Sequence, residues 1–124
     1  GHQAIGEAFG GKLVNLTKVY HGVATPCHIL NSKSPLFNGL PSEIEIGRYH
    51  SWIVDKKGLP ESLEITAEDN NGYIMAMQHR TYDVQGVQFH PESVLTPQGE
   101  TILKNWLKRC LPLYRELATA QLLV

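Results

Sequence analysis

Residues 84–93, Val-Gln-Gly-Val-Gln-Phe-His-Pro-Glu-Ser, constrain this chain more than any other stretch. Val84–Phe89 is short and apolar enough to be a strand, and beyond it Pro91 restrains the backbone between His90 and Glu92. His90 and Glu92 then stand two apart. On an extended chain such residues point to one side, so Glu92 reaches one ring nitrogen of His90 and leaves the other facing outward. A carboxylate in that place fixes the imidazole tautomer and supports the imidazolium formed in proton transfer. A helix is predicted next. Thr96 reads as its N-cap, Pro97 fits its first position, and Pro112 stops it. Ile102, Leu103, Trp106, Leu107 and Cys110 share one apolar face, and Lys104, Lys108 and Arg109 suit the negative end of the helix dipole.

The rest of the chain alternates between strand and turn signals. Residues 2–9 have apolar Ala4, Ile5, Ala8 and Phe9 at helical spacing, closed by Gly10-Gly11. Strands are expected over Lys12–Leu16 and Gly22–Leu30, with Pro26 implying an edge or a bend in the second. Ser34–Pro41 is turn-rich. Glu43–Ile46 alternates polar and apolar, and Ser51–Val54 continues extended. Leu63–Ala67 and Tyr73–Gln78 are two more strands, joined by a turn at Asp69-Asn70-Asn71-Gly72. Helices at both ends with strands between them define an α/β domain.

Composition excludes several classes of function. The chain has 124 residues, a net charge of -1, 42% hydrophobic and 19% charged residues, the balance of one small globular domain. Its basic residues are scattered, so no nucleic-acid partner is expected. No apolar run approaches the roughly 20 residues of a membrane span. Neither a signal peptide nor a cofactor motif is evident, and a cytoplasmic location is expected. Cys27 and Cys110 form no metal or redox spacing and read as core. His2, His21, His28, His50, His79 and His90 show no paired spacing, so no metal site is expected. His28 and His79 read as ordinary strand residues. Tyr49, Trp52, Tyr73 and Tyr82 read as packing, and Trp106 as helix core.

Two further segments carry chemistry. Gly1-His2-Gln3 opens the first helix, whose N-terminus offers free N–H groups and a positive dipole end that can activate a thiol. Arg48-Tyr49-His50-Ser51-Trp52 reads locally as a strand end with an amphipathic surface. In order and spacing, GHQ with AFGG, HG after Tyr20, RYHS, and GVQFHPES-x-x-T-x-x-G resemble the class I glutamine amidotransferases. The branch is the glutaminase subunit (component II) of anthranilate synthase and aminodeoxychorismate synthase. The resemblance runs from residue 1 to about residue 109.

That resemblance implies a flavodoxin-like fold, incomplete at the N-terminus. Residues 1–111 would be the C-terminal part of an amidotransferase domain, and 112–124 an extension of unknown role. His90 matches the general base and Glu92 its orienting carboxylate. Gln3, Ser51 and Trp52 match the glutamine-binding positions, and His21-Gly22 a contact with the partner. Partners implied are L-glutamine and a chorismate-binding synthase subunit. The family's nucleophilic cysteine precedes the Gly of GHQ by two residues and so falls before Gly1. The chain then reads as a fragment, inactive alone and a poor folder once a central strand is missing. A non-catalytic binding module and a different class I amidotransferase stay open beside this reading.

Overall fold

A computed structural model describes the backbone of residues 1–122 and the side chains of residues 1–111. Helix α1 spans His2–Ala8, and strand β1 spans Leu13–Ile29. A 3-10 turn at Pro35–Phe37 leads to β2 (Glu43–Val54), β3 (Leu63–Asp69), β4 (Ile74–His79) and β5 (Gln85–Val87). Helix α2 (Gly99–Leu122) ends the described chain. The strands form one sheet in the order β2-β1-β3-β4-β5, with each described pairing antiparallel. The mixed α/β class expected from the sequence is the one observed.

Glycines let α1 lie close on the sheet. Its end is a Schellman motif: the Gly11 N–H donates to the Gly6 carbonyl at 2.8 Å and the Gly10 N–H to the Glu7 carbonyl at 3.0 Å. Gly10 there has φ +101, a conformation that favours glycine. A Cβ on Gly86 of β5 would stand 3.0 Å from the His2 Cα. Close packing at that point holds the start of α1 beside the strand that leads to His90.

Two apolar clusters hold the layers together. Val54, Leu63, Ile74 and Met77 gather beneath Ile5 and Phe9 of α1. Cys27, Ile44, Ile46, Met75 and Phe89 pack with Leu36 and Phe37 of the 3-10 turn and Ile102 of α2. Full burial of such side chains stabilises by roughly 1.5–3 kcal/mol each.

Three expectations about the elements change. The two strands predicted over 12–16 and 22–30 are a single strand, β1, because bulges absorb the mismatch that a break was expected to fill. Residues 16–19 face Ser51 alone, and Gly22, at φ +67, forms a second irregularity between His21 and Val23. Pro26 does lie at an edge: β3 pairs with β1 only from Cys27 onward. Pro112 does not stop α2, which continues to Leu122. Proline costs one bond at the Lys108 carbonyl, but Leu, Arg, Glu, Ala and Gln beyond it are strong helix formers. Finally, Trp106 is 51% exposed, and Leu103 and Leu107 are exposed with it. The helix is docked by Ile102 and by Asn105, whose Nδ2 donates to the carbonyls of Leu36 and Asn38. That anchor turns most of the apolar stripe outward. Cys110 is half-buried.

Candidate active site

The segment after β5 is fastened to Gly47 of β2 by Thr96 and by the His90 backbone. Thr96 Oγ1 donates to the His90 carbonyl at 2.7 Å and accepts the Gly47 N–H at 2.9 Å. The His90 N–H donates to the Gly47 carbonyl at 3.1 Å. Thr96 is therefore a tether between loop and sheet and not the expected helix cap, since its hydroxyl is engaged in tertiary bonds. Gly47 and Gly99 permit the closeness. A Cβ on Gly47 would stand 2.9 Å from the Leu95 Cβ, and one on Gly99 would overlap the Pro91 carbonyl. The threonine and glycine of GVQFHPES-x-x-T-x-x-G were the sequence signal for this tether.

The tether can be tested by substitution. Thr96→Val keeps the shape but leaves the buried Gly47 N–H without an acceptor, which costs about 1–3 kcal/mol. Urea unfolding of the full-length protein should show that loss, with Thr96→Ser close to the parent. Equal stability of the Val and Ser variants would show that Thr96 is no tether.

On this frame the predicted couple forms. Glu92 Oε1 lies 2.7 Å from His90 Nδ1. The Glu92 carboxyl is held below its ordinary range by its own backbone N–H and then by His90. The His90 ring meets the Tyr49 ring edge-on, with centroids 4.9 Å apart, and Tyr49 Oη lies 3.0 Å from Ser93 Oγ.

A cavity of about 320 Å³ opens beside this couple, lined by Gly1, Gln3, Tyr49, Gln88 and His90 among others. Gln3 Nε2 donates to the Trp52 carbonyl at 3.1 Å and lies 3.5 Å from Gln88 Oε1. Its own carbonyl oxygen remains an acceptor for a ligand. Ser51 is half-buried opposite the β1 irregularity and has no Cα partner in the ladder. Trp52, expected as packing, is 45% exposed, as are Tyr49 (43%) and Tyr82 (63%). His21 and Gly22 are exposed, and His21 pairs with Tyr49 across the strands. Of the predicted residues, Gln3 and His90 line the cavity, Trp52 touches Gln3, and His21 and Gly22 lie outside that lining, beside Tyr49.

The Arg48–His50 segment is not the amphipathic surface expected of it, because both side chains are buried. Arg48 Nη1 donates to Asp69 Oδ2 at 2.7 Å, and Arg48 Nε donates to His50 Nε2 at 3.0 Å. Its guanidinium lies 3.5 Å from the centre of the Tyr20 ring. An arginine facing a distant aspartate and an aromatic ring tolerates burial, which local alternation cannot reveal. Cys27 is fully buried, as expected, and burial pushes its thiol up to about 12. His79 Nδ1 accepts the backbone N–H groups of Thr81 and Tyr82 and so closes the turn after β4. Among the described residues, no cluster of His, Cys, Asp or Glu is arranged to hold a metal. No described helix is long and apolar enough to cross a membrane.

Two more imidazoles flank His90, and both are kept neutral. Burial lowers His2 to about 4, and burial together with the Arg48 charge lowers His50 to about 4. The unfolded chain binds protons at these rings as pH falls past about 6.5, while the folded chain does not until about 4. Their contribution to stability is complete above 6.5 and is lost as pH falls toward 4. By pH 5.5 the loss should be about 1 kcal/mol for each ring. Urea midpoints at pH 7 and pH 5.5 check this, and equal stabilities would show that the rings titrate in place.

Known proteins resemble this chain in sequence and in fold. The profile of the family "Glutamine amidotransferase class-I" matches residues 1–110, and the chain belongs to that family. The aminodeoxychorismate synthase component 2 of Klebsiella aerogenes is 44% identical over 109 residues, 88% of this chain and 57% of that protein. The anthranilate synthase component 2 of Pseudomonas aeruginosa is 44% identical over 114 residues, 88% of this chain and 56% of that one. A solved structure from Thermoplasma acidophilum, described as a GMP synthase protein, superposes with a TM-score of 0.83 at 29% identity. The match covers 96% of this chain and 57% of that one. The chain therefore carries the class I amidotransferase fold and spans a little over half the length of these relatives.

Proposed function

We propose that the full-length protein hydrolyses the side-chain amide of glutamine and passes ammonia to a synthase that aminates chorismate. The carrying observation is the His90–Glu92 couple, closed at 2.7 Å, at the edge of a cavity also lined by Gly1 and Gln3. The reaction is acyl transfer. A cysteine thiolate two residues ahead of Gly1 attacks the amide carbon, and His90 protonates the departing ammonia. His90 then takes a proton from water, which attacks the thioester and releases glutamate. Glu92 orients the ring and supports its cationic form. Gln3 binds the glutamine substrate, Ser51 and Trp52 hold its α-amino and α-carboxylate ends, and His21 and Gly22 approach the synthase.

Gly1 and His90 line the same cavity, which supports a meeting there between the base and a thiolate two residues ahead of Gly1. Without that cysteine, residues 1–124 alone are expected to be inactive. The names of the relatives support both the anthranilate and the aminodeoxychorismate assignment, and glutamine hydrolysis is the chemistry common to the two. The test is ammonia release from glutamine by the full-length protein mixed with its synthase partner. Release is the expected result. No release with the partner present would turn the protein into a binding module.

A further inference from the structure

We propose that the buried trio Asp69, Arg48 and His50 is a positioning relay for the glutamine site, holding the Trp52 carbonyl on which Gln3 is seated. The inference rests on the glutaminase reading above and adds residues which that reading does not use.

The relay starts at the β3–β4 turn. Asp69 Oδ1 accepts the N–H groups of Asn71 and Tyr73, both at 2.9 Å, which fixes the carboxylate. Its Oδ2 takes Arg48 Nη1 at 2.7 Å. The arginine is held further by Thr25 Oγ1 and the Tyr20 ring. Arginine can only donate, so His50 Nε2, at 3.0 Å from Arg48 Nε, must present its lone pair. The proton of the neutral ring then sits on Nδ1, which donates to the Trp52 carbonyl at 3.0 Å. Tyr20 stacks on the His50 ring, with centroids 5.2 Å apart and planes 14° from parallel, and so packs against one face of it.

The Trp52 carbonyl thus receives two donors, His50 Nδ1 and Gln3 Nε2, one for each lone pair. Ser51, next to it, lacks a ladder partner and needs another restraint. The relay supplies one from inside the fold. A charge pair 21 residues apart in sequence sets a tautomer, and the tautomer sets a peptide plane in the substrate site. His50 touches no reacting atom in this scheme.

Two variants of the full-length protein with its synthase partner separate positioning from bulk structure. Asparagine places its amide N–H near the position of Nδ1, whereas the longer glutamine reaches the position of Nε2. His50→Gln therefore loses the donor to Trp52 and should raise KM for glutamine about tenfold, with kcat changed less than about twofold. His50→Asn keeps a donor and should raise KM no more than about threefold. Equal effects of the two variants, or a fall in kcat alone, would overturn the relay. If either fails to fold, Asp69→Asn keeps the turn acceptors and weakens the grip on Arg48. It should raise KM in the same way, and an unchanged KM there overturns the relay too. Wild-type protein that releases no ammonia sinks both readings, whereas an active wild type with no KM shift in these variants sinks only the relay.

Discussion

His90→Ala in the full-length protein should lower glutamine hydrolysis by about 10²–10⁴-fold while leaving the unfolding midpoint near that of the parent. The two halves of this expectation have separate causes. A positioned general acid–base group contributes a factor of that order. Here it would serve twice, once for the leaving ammonia and once for the attacking water. Stability, by contrast, owes little to this side chain. The ring is 43% exposed and its partner Glu92 is 66% exposed. Exposed ion pairs contribute about 0–1 kcal/mol. The backbone at this point is held by Gly47 and Thr96, which the variant leaves in place. The neighbouring imidazoles cannot substitute. His50 has both ring nitrogens engaged, and His2 is buried beside Gly86. The assay is ammonia release with the synthase partner present, beside a thermal melt. Activity within about threefold of wild type would remove His90 from the mechanism. A large fall in the melting point would mean that the loss of activity reports unfolding.

What the sequence revealed follows from how local each signal is. His90 and Glu92 were legible as a pair two residues apart, but the extended chain expected between them is a turn: Pro91 and Glu92 are its central residues, and the Ser93 N–H closes it on the His90 carbonyl at 3.1 Å. The first helix was legible because Gly10-Gly11 is a Schellman ending written in adjacent letters. Asp69 was legible as a turn residue, and one of its oxygens does serve the turn. Its other oxygen serves Arg48, and nothing near either residue announces that pairing. Thr96 carried the opposite ambiguity. A threonine before Pro97 fits a helix cap, yet its hydroxyl is used 49 residues away on Gly47. Trp106 was misread for a third reason. Periodicity shows which side chains share a face and leaves open what that face lies on. Asn105, polar and buried, decides how α2 sits.

The Arg48–Asp69 pair should give the largest loss of stability. Asp69→Ala strands a guanidinium that is 1% exposed, and it also removes the acceptor of two backbone N–H groups. Breaking a buried pair from one side costs about 3–5 kcal/mol, because the remaining charge has lost its compensation. That is a large share of the roughly 5–15 kcal/mol by which domains are stable. Burying the pair in the first place is a different matter, since desolvation of both charges offsets much of their attraction. The double variant Arg48→Met with Asp69→Leu should therefore recover part of what Asp69→Ala loses, although the turn at Asn71 and Tyr73 still lacks its acceptor. Urea unfolding of the full-length parent and both variants measures each step. If Asp69→Ala cost less than about 1 kcal/mol, the carboxylate would not be what compensates Arg48. A double variant more stable than Asp69→Ala but raised in KM for glutamine would show what the charged pair is retained for: it holds His50, and through it the Trp52 carbonyl, at a cost in stability that an apolar core would avoid.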